Sequence, residues 1–99
     1  MATVTETYIL EQDTGNTTYP TAANARLQAA LASGAIVSFT KTPIVDGLDF
    51  VAEKTRLNVV VVYRSAEDKT TFQNATLADT EFQAYAISSN IRRINLTVS

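Results

Sequence analysis

The chain has 99 residues, 45% of them hydrophobic and 18% charged, which suits one globular domain with a single core and excludes both a disordered chain and a multidomain enzyme. Eight Lys and Arg against ten Asp and Glu leave a net charge of -2, so binding to a nucleic-acid backbone is not expected. The chain contains no Cys, His or Trp, which removes disulfide frameworks, thiolate nucleophiles, zinc sites built on Cys or His, and every triad that needs an imidazole.

In chain order, Thr3 to Leu10 is rich in β-branched and aromatic residues and stops at the turn formers Asp13-Thr14-Gly15-Asn16, which predicts a first strand. From Thr21 the period changes. Ala23, Leu27, Ala30, Leu31 and Gly34 share one helical face, with Thr21 as the expected N-cap after Pro20 and Gly34 as the left-handed stop. Ala35 to Thr42 reads as a second strand ended by Pro43, and Asp46-Gly47 marks a turn within a segment, 43 to 56, whose conformation the sequence leaves open.

Leu57 to Arg64 holds four consecutive valines, Val59 to Val62, and a β-branched run this short is a strand with both faces covered. Ser65-Ala66-Glu67-Asp68 then has the Ser-x-x-acid pattern of a helix start, and Thr76-Leu77-Ala78-Asp79 repeats the pattern ahead of Phe82, Tyr85 and Ala86, with Asn90 as the stop. Ile91 to Val98 alternates as a last strand. Arg92 and Arg93, adjacent on it, point to opposite faces and make no basic patch.

The resulting order, β-α-β then β-α-β, predicts an α+β domain over residues 1 to 99: a four-stranded antiparallel sheet with the helices on one face, the ferredoxin-like arrangement, whose first and third strands are central. Val59 and Val61 then lie on one face and Val60 and Val62 on the other, and leaving two valines exposed forfeits roughly 1.5 to 3 kcal/mol each. A second copy packed on the free sheet face covers them, so a homodimer through alternate residues of Val59, Val60, Val61 and Val62 is expected. The competing solution folds the segment 43 to 56 across that face.

The stretch from Val59 through Tyr63-Arg64-Ser65-Ala66-Glu67-Asp68, followed by Asp79-Thr80-Glu81-Phe82-Gln83-Ala84-Tyr85, resembles the dimeric α+β barrel superfamily, which includes the antibiotic-biosynthesis-type monooxygenases. The resemblance covers residues 57 to 98. It implies dimerisation through the open sheet face and a small-molecule pocket between sheet and helices. The haem-degrading members' Asn, Trp and His set has no counterpart in a chain without Trp or His.

The polar residues available to line such a pocket are Tyr8, Asn24, Asn58, Tyr63, Arg64 and Tyr85. Arg64 is the cation expected beside it, which favours a small aromatic or anionic ligand, and its competing role is an ion pair with Glu67 or Asp68. The serines have no base to activate them, the carboxylates fall mostly at turns and first helical turns, and no calcium-loop spacing occurs, so catalytic residues, metal ligands and cofactors are not expected. The reading is a homodimeric scaffold or small-molecule-binding module, cytoplasmic or part of a virion, without a signal peptide or membrane span. Its alternatives are a cofactor-independent pocket enzyme of the monooxygenase type and an Sm-like nucleic-acid-binding ring, possibly viral, which needs an all-β chain.

Overall fold

Cross-strand ion pairs carry the first strand beyond the point where its apolar pattern stops. In the computed structural model, which describes residues 2–99, β1 runs over Val4–Asp13 and β3 over Lys54–Tyr63. They are antiparallel partners along their whole lengths, from Val4 opposite Tyr63 to Asp13 opposite Lys54. Glu11 meets Arg56 at 2.7 Å, with both side chains mostly buried, and Lys54 reaches Asp13. Polar residues that read as strand ends are therefore paired across the sheet.

The remaining elements are α1 (Thr18–Ser33), β2 (Ile36–Pro43), α2 (Ala66–Ala78), α3 (Thr80–Ser88) and β4 (Arg92–Val98). The strand order β2-β3-β1-β4, antiparallel throughout, is the ferredoxin-like topology with β1 and β3 in the centre, as their apolar character requires. Residues 66 to 78 and 80 to 88 are helical, so the strands that an Sm-like ring needs there do not form.

Two helix boundaries differ from expectation. Helix α1 starts at Thr18, before Pro20, because a proline in the first turn gives up an N–H that has no intrahelical acceptor anyway. Asn16 Oδ1 accepts from Tyr19 N there, while Thr21, the expected cap, donates its hydroxyl to Thr17 O from inside the helix. Its end is as read: Gly34 takes φ 88° and donates to Leu31 O. In the second half the new helix starts at Asp79, not Thr76. Thr76 returns its hydroxyl to Phe72 O within α2, whereas Asp79 takes extended backbone and accepts from Phe82 N, a stronger cap that splits the helical arm in two. Ser65 caps α2 by accepting from Asp68 N, and Asn90, at φ 52°, ends α3.

Alternation sorts the sheet residues. Tyr8, Leu10, Val59, Val61, Tyr63 and Ile36 form the core with Tyr19, Leu27 and Ala30 of α1 and Phe82 of α3. Val59 and Val61 are 0% and 1% exposed. The opposite face carries Thr5, Thr7 and Ile9 of β1, Asn58, Val60 and Val62 of β3, and Ser38, Thr40 and Thr42 of β2. Segment 44 to 53 is a turn region at one end of the sheet, where Phe50 N donates to Gly47 O, Lys54 N to Val51 O, and Ile44 N to Arg56 O. Arg56, on the far face, donates to Asp49 O of this segment at 3.1 Å, and Ile9 and Glu11 on that face are 5% and 8% exposed, so that end of the face is covered, while Val60 and Val62 are left half-buried. The shortest dimension, 19 Å, is that of one sheet and one helix layer.

Candidate functional site

The helix layer does not seal the sheet. Helix α2 has no buried residue, the helical run is interrupted at Asp79, and a cleft of about 760 Å³ lies between the helices and the sheet. Its floor is Glu6 and Tyr8 of β1 and Val61 and Tyr63 of β3, with Arg93 of the edge strand β4, an exposed residue, at its border; its walls include Tyr19 and Leu27 of α1, Phe72 of α2 and Phe82 of α3. Leu77 and Ile87, 70% and 77% exposed, stand at its rim.

The aromatic rings pack against one another, Tyr19 on Phe82 with centroids 5.2 Å apart and Tyr63 on Phe72 at 5.9 Å. Between Phe72 and Phe82 sits the Arg26 guanidinium, 5.6 and 5.4 Å from their centroids, donating to Asp79 Oδ2 at 2.8 Å and Thr76 Oγ1 at 3.0 Å. Arg26 thus ties α1 to the junction of α2 and α3, and its charge is spoken for. Burial raises the pKa of Tyr8 to about 12 and pushes those of Tyr19 and Tyr63 upward as well. At neutral pH these three hydroxyls are hydrogen-bonding groups, not bases.

Two ionic groups face the cleft from the sheet. Glu6 is 4% exposed and its Oε2 accepts from Gln73 at 3.1 Å, with Lys69 Nζ at 3.8 Å. Arg93 lies over the Tyr8 ring at 5.2 Å, within reach of the Tyr19 hydroxyl. Six of the eight cations form ion pairs among the described residues; Arg93 and Lys41 do not. Lys41 is outside the cleft lining. Among the described residues no three of His, Cys, Asp and Glu cluster as metal ligands.

Of the pocket residues expected from sequence, Tyr8 and Tyr63 line this cleft. Arg64 does not: it leaves β3 on the side away from the cleft and forms a two-pronged ion pair with Asp68, at 2.8 and 2.9 Å. Asn58 sits opposite Ile9 and Thr42 on the other sheet face, placed there by alternation from Val59. Tyr85 packs its ring at the edge of the core and donates its hydroxyl to Glu81 at 2.8 Å, one helical turn back, so it is no cleft wall. Asn24 is exposed on α1 and is also absent from the lining. Of the valines expected at an interface, Val59 and Val61 are core residues and Val60 and Val62 are on the open face.

The reading from sequence missed Glu6, Tyr19, Arg26 and Arg93. A signal existed for Glu6, the one charge in the series Val4, Glu6, Tyr8, Leu10 on the inner face of β1. For Arg93 it did not, since alternation separates Arg92 from Arg93 but does not say which turns inward. Register decides that: Arg93 lies opposite Leu10, which faces the helices.

The Arg64 pair has a consequence at low pH. Hydrogen bonds from Arg64 and Ser65 hold the Asp68 carboxyl below its usual range, as Lys54 and Asn90 do for Asp13. A folded-state pKa below the unfolded one contributes stability above the unfolded value near 4 and loses it as pH falls through the folded value. The expected outcome is a thermal midpoint that drops below about pH 4, with a shallower drop in Asp68→Asn; equal slopes in the two proteins contradict it. Comparison with protein-family models, with curated proteins and with solved structures returns no match for this chain.

Proposed function

We propose that the chain is a small-molecule-binding module, acting without a catalytic step, whose cleft between sheet and helices takes a small, partly aromatic anion. The observation that carries this is Arg93: an exposed guanidinium on the edge strand β4 that borders an aromatic-lined cleft, with no carboxylate at ion-pair distance among the described residues. Small-molecule sites favour apolar concave spaces with a few convergent polar groups, and a planar carboxylate matches the two-pronged donor geometry of a guanidinium. The test is a thermal-shift screen of small aromatic carboxylates, followed by titration calorimetry of the hits. Arg93→Gln should weaken a hit at least about tenfold, since a charged hydrogen-bonded pair is lost, while Arg64→Ala and Tyr85→Ala should leave it unchanged. An absence of hits, or hits undiminished in Arg93→Gln, removes the cleft assignment.

The same reading includes a homodimer through the open sheet face. That face carries Thr, Ser and Val along most of its length, with its charges gathered at the Glu11, Arg56 and Lys54 end. Four strands of seven to ten residues span about 550 Å² of sheet, against roughly 800 Å² per partner in a standard interface. The chain exposes 5904 Å², above the roughly 5,500 Å² usual for a monomer of this mass. Pairing by edges is disfavoured, because β2 and β4 each carry a register shift against their neighbour, and β2 adds Lys41 and Pro43. The resemblance to the dimeric α+β barrel superfamily supports the same assembly at the level of topology. Pairing of six of the eight cations with carboxylates supports the expectation that nucleic acid is not the partner.

A further inference from the structure

The cleft has two polar poles of opposite sign, and both are held by the sheet. Arg93 stands over Tyr8 at one end, and Glu6 stands two residues before Tyr8 on the same face of β1 at the other. Residues two apart on a strand are about 7 Å apart, and Arg93 reaches in from the far side of Tyr8, which separates the poles by about 7 to 10 Å. The Gln73 amide and the Lys69 ammonium both approach Glu6 at Oε2. Its Oε1 has no hydrogen-bond partner among the described residues, in a carboxylate that lines the cleft at 4% exposure.

Glu6 Oε1 is open to the cleft, and a ligand hydroxyl or amino group there replaces water with a charge-assisted hydrogen bond that a ligand without a donor does not make. We infer that the cleft is built for an aromatic carboxylate that also carries a hydrogen-bond donor, a hydroxyl or an amino group, at the end of the ring away from its acid. The acid binds Arg93, the ring lies among Tyr8, Tyr63 and Phe82, and the donor reaches Glu6 Oε1. A single benzene ring with the acid on a short tether spans the two poles. An aromatic cation is disfavoured, because Arg26 and Arg93 already occupy ring faces here.

This assignment rests on the cleft reading above, and a ligand series separates the two. Titration calorimetry compares 3-phenylpropionate, 3-(4-hydroxyphenyl)propionate and the methyl ester of the latter on the unmodified protein. The expected result is that the hydroxy acid binds about tenfold tighter than the acid without the hydroxyl, and that the ester loses at least as much. In Glu6→Gln, shown to be folded by circular dichroism, the advantage of the hydroxyl should shrink to within about twofold. Equal affinity of the two acids overturns the assignment to Glu6 and leaves the anion site on Arg93 standing. A hydroxyl preference that survives in folded Glu6→Gln overturns it as well, and the series on the unmodified protein decides the matter where that variant does not fold. Failure of all three probes overturns both this assignment and the cleft reading.

Discussion

Val59→Asp should give no folded protein, whereas Val60→Asp, one residue along the same strand, should give a folded monomer. Val59 is 0% exposed beneath the helices, opposite Tyr8 and Lys41 in register. An aspartate there desolvates a charge and removes two core methyls, which costs several kcal/mol even with Lys41 across the strand pair, against a total stability of about 5 to 15 kcal/mol for a domain. Val60 is half-buried on the open face between Thr7 and Thr40. A carboxylate at that position is hydrated in the single chain and costs little, but in a two-fold dimer it desolvates two like charges across one interface. Light scattering should therefore give a dimer mass for the unmodified chain and half of it for Val60→Asp, with the circular-dichroism spectrum retained. A monomeric unmodified chain, or a dimer that survives Val60→Asp, sinks the proposed assembly.

Alkaline titration should show tyrosines that resist ionisation until the fold gives way. All four are shifted upward: Tyr8 to about 12, Tyr63 and Tyr19 also by burial, and Tyr85 by its hydrogen bond to the Glu81 carboxylate. A folded-state pKa above the unfolded one means that stability is fully present below the unfolded value of 10.0 and is lost as pH rises through the folded value. For Tyr8 alone, from 10.0 to about 12, the loss is about 3 kcal/mol. The absorbance of phenolate near 295 nm should stay flat past the pH at which free tyrosine is half-ionised, then rise together with loss of the circular-dichroism signal. Tyr85→Phe should leave that late coupled rise in place. Half of the tyrosines ionising near pH 10 in a protein that is still folded contradicts the buried placement of Tyr8, Tyr19 and Tyr63.

The sequence by itself determined the α+β order, the left-handed stop at Gly34, the helix start at Ser65 and the central position of β1 and β3. Each of these rests on a short-range cause: the period of apolar residues, a cap within three positions, or the covering that a run of valines demands. Residues further apart decided the rest. Strand β1 runs on to Asp13 because Arg56 and Lys54 pair with Glu11 and Asp13 from more than 40 positions away. Thr76 and Asp79 carry the same kind of helix-start signal, and Asp79 prevails as the cap while Arg26 of α1 holds its carboxylate.

The candidate site shows the same division. Tyr8 and Tyr63 were legible as inward residues because alternation along a strand fixes which neighbours share a face. Which cation stands in the cleft was not legible. Arg64 follows an apolar strand, but the acid four positions ahead on α2 captures it outside, and Arg93 enters through the pairing of β4 with Leu10. Spacing along the chain states which side chains share a face; only the register between strands states which face, and which charge, looks inward.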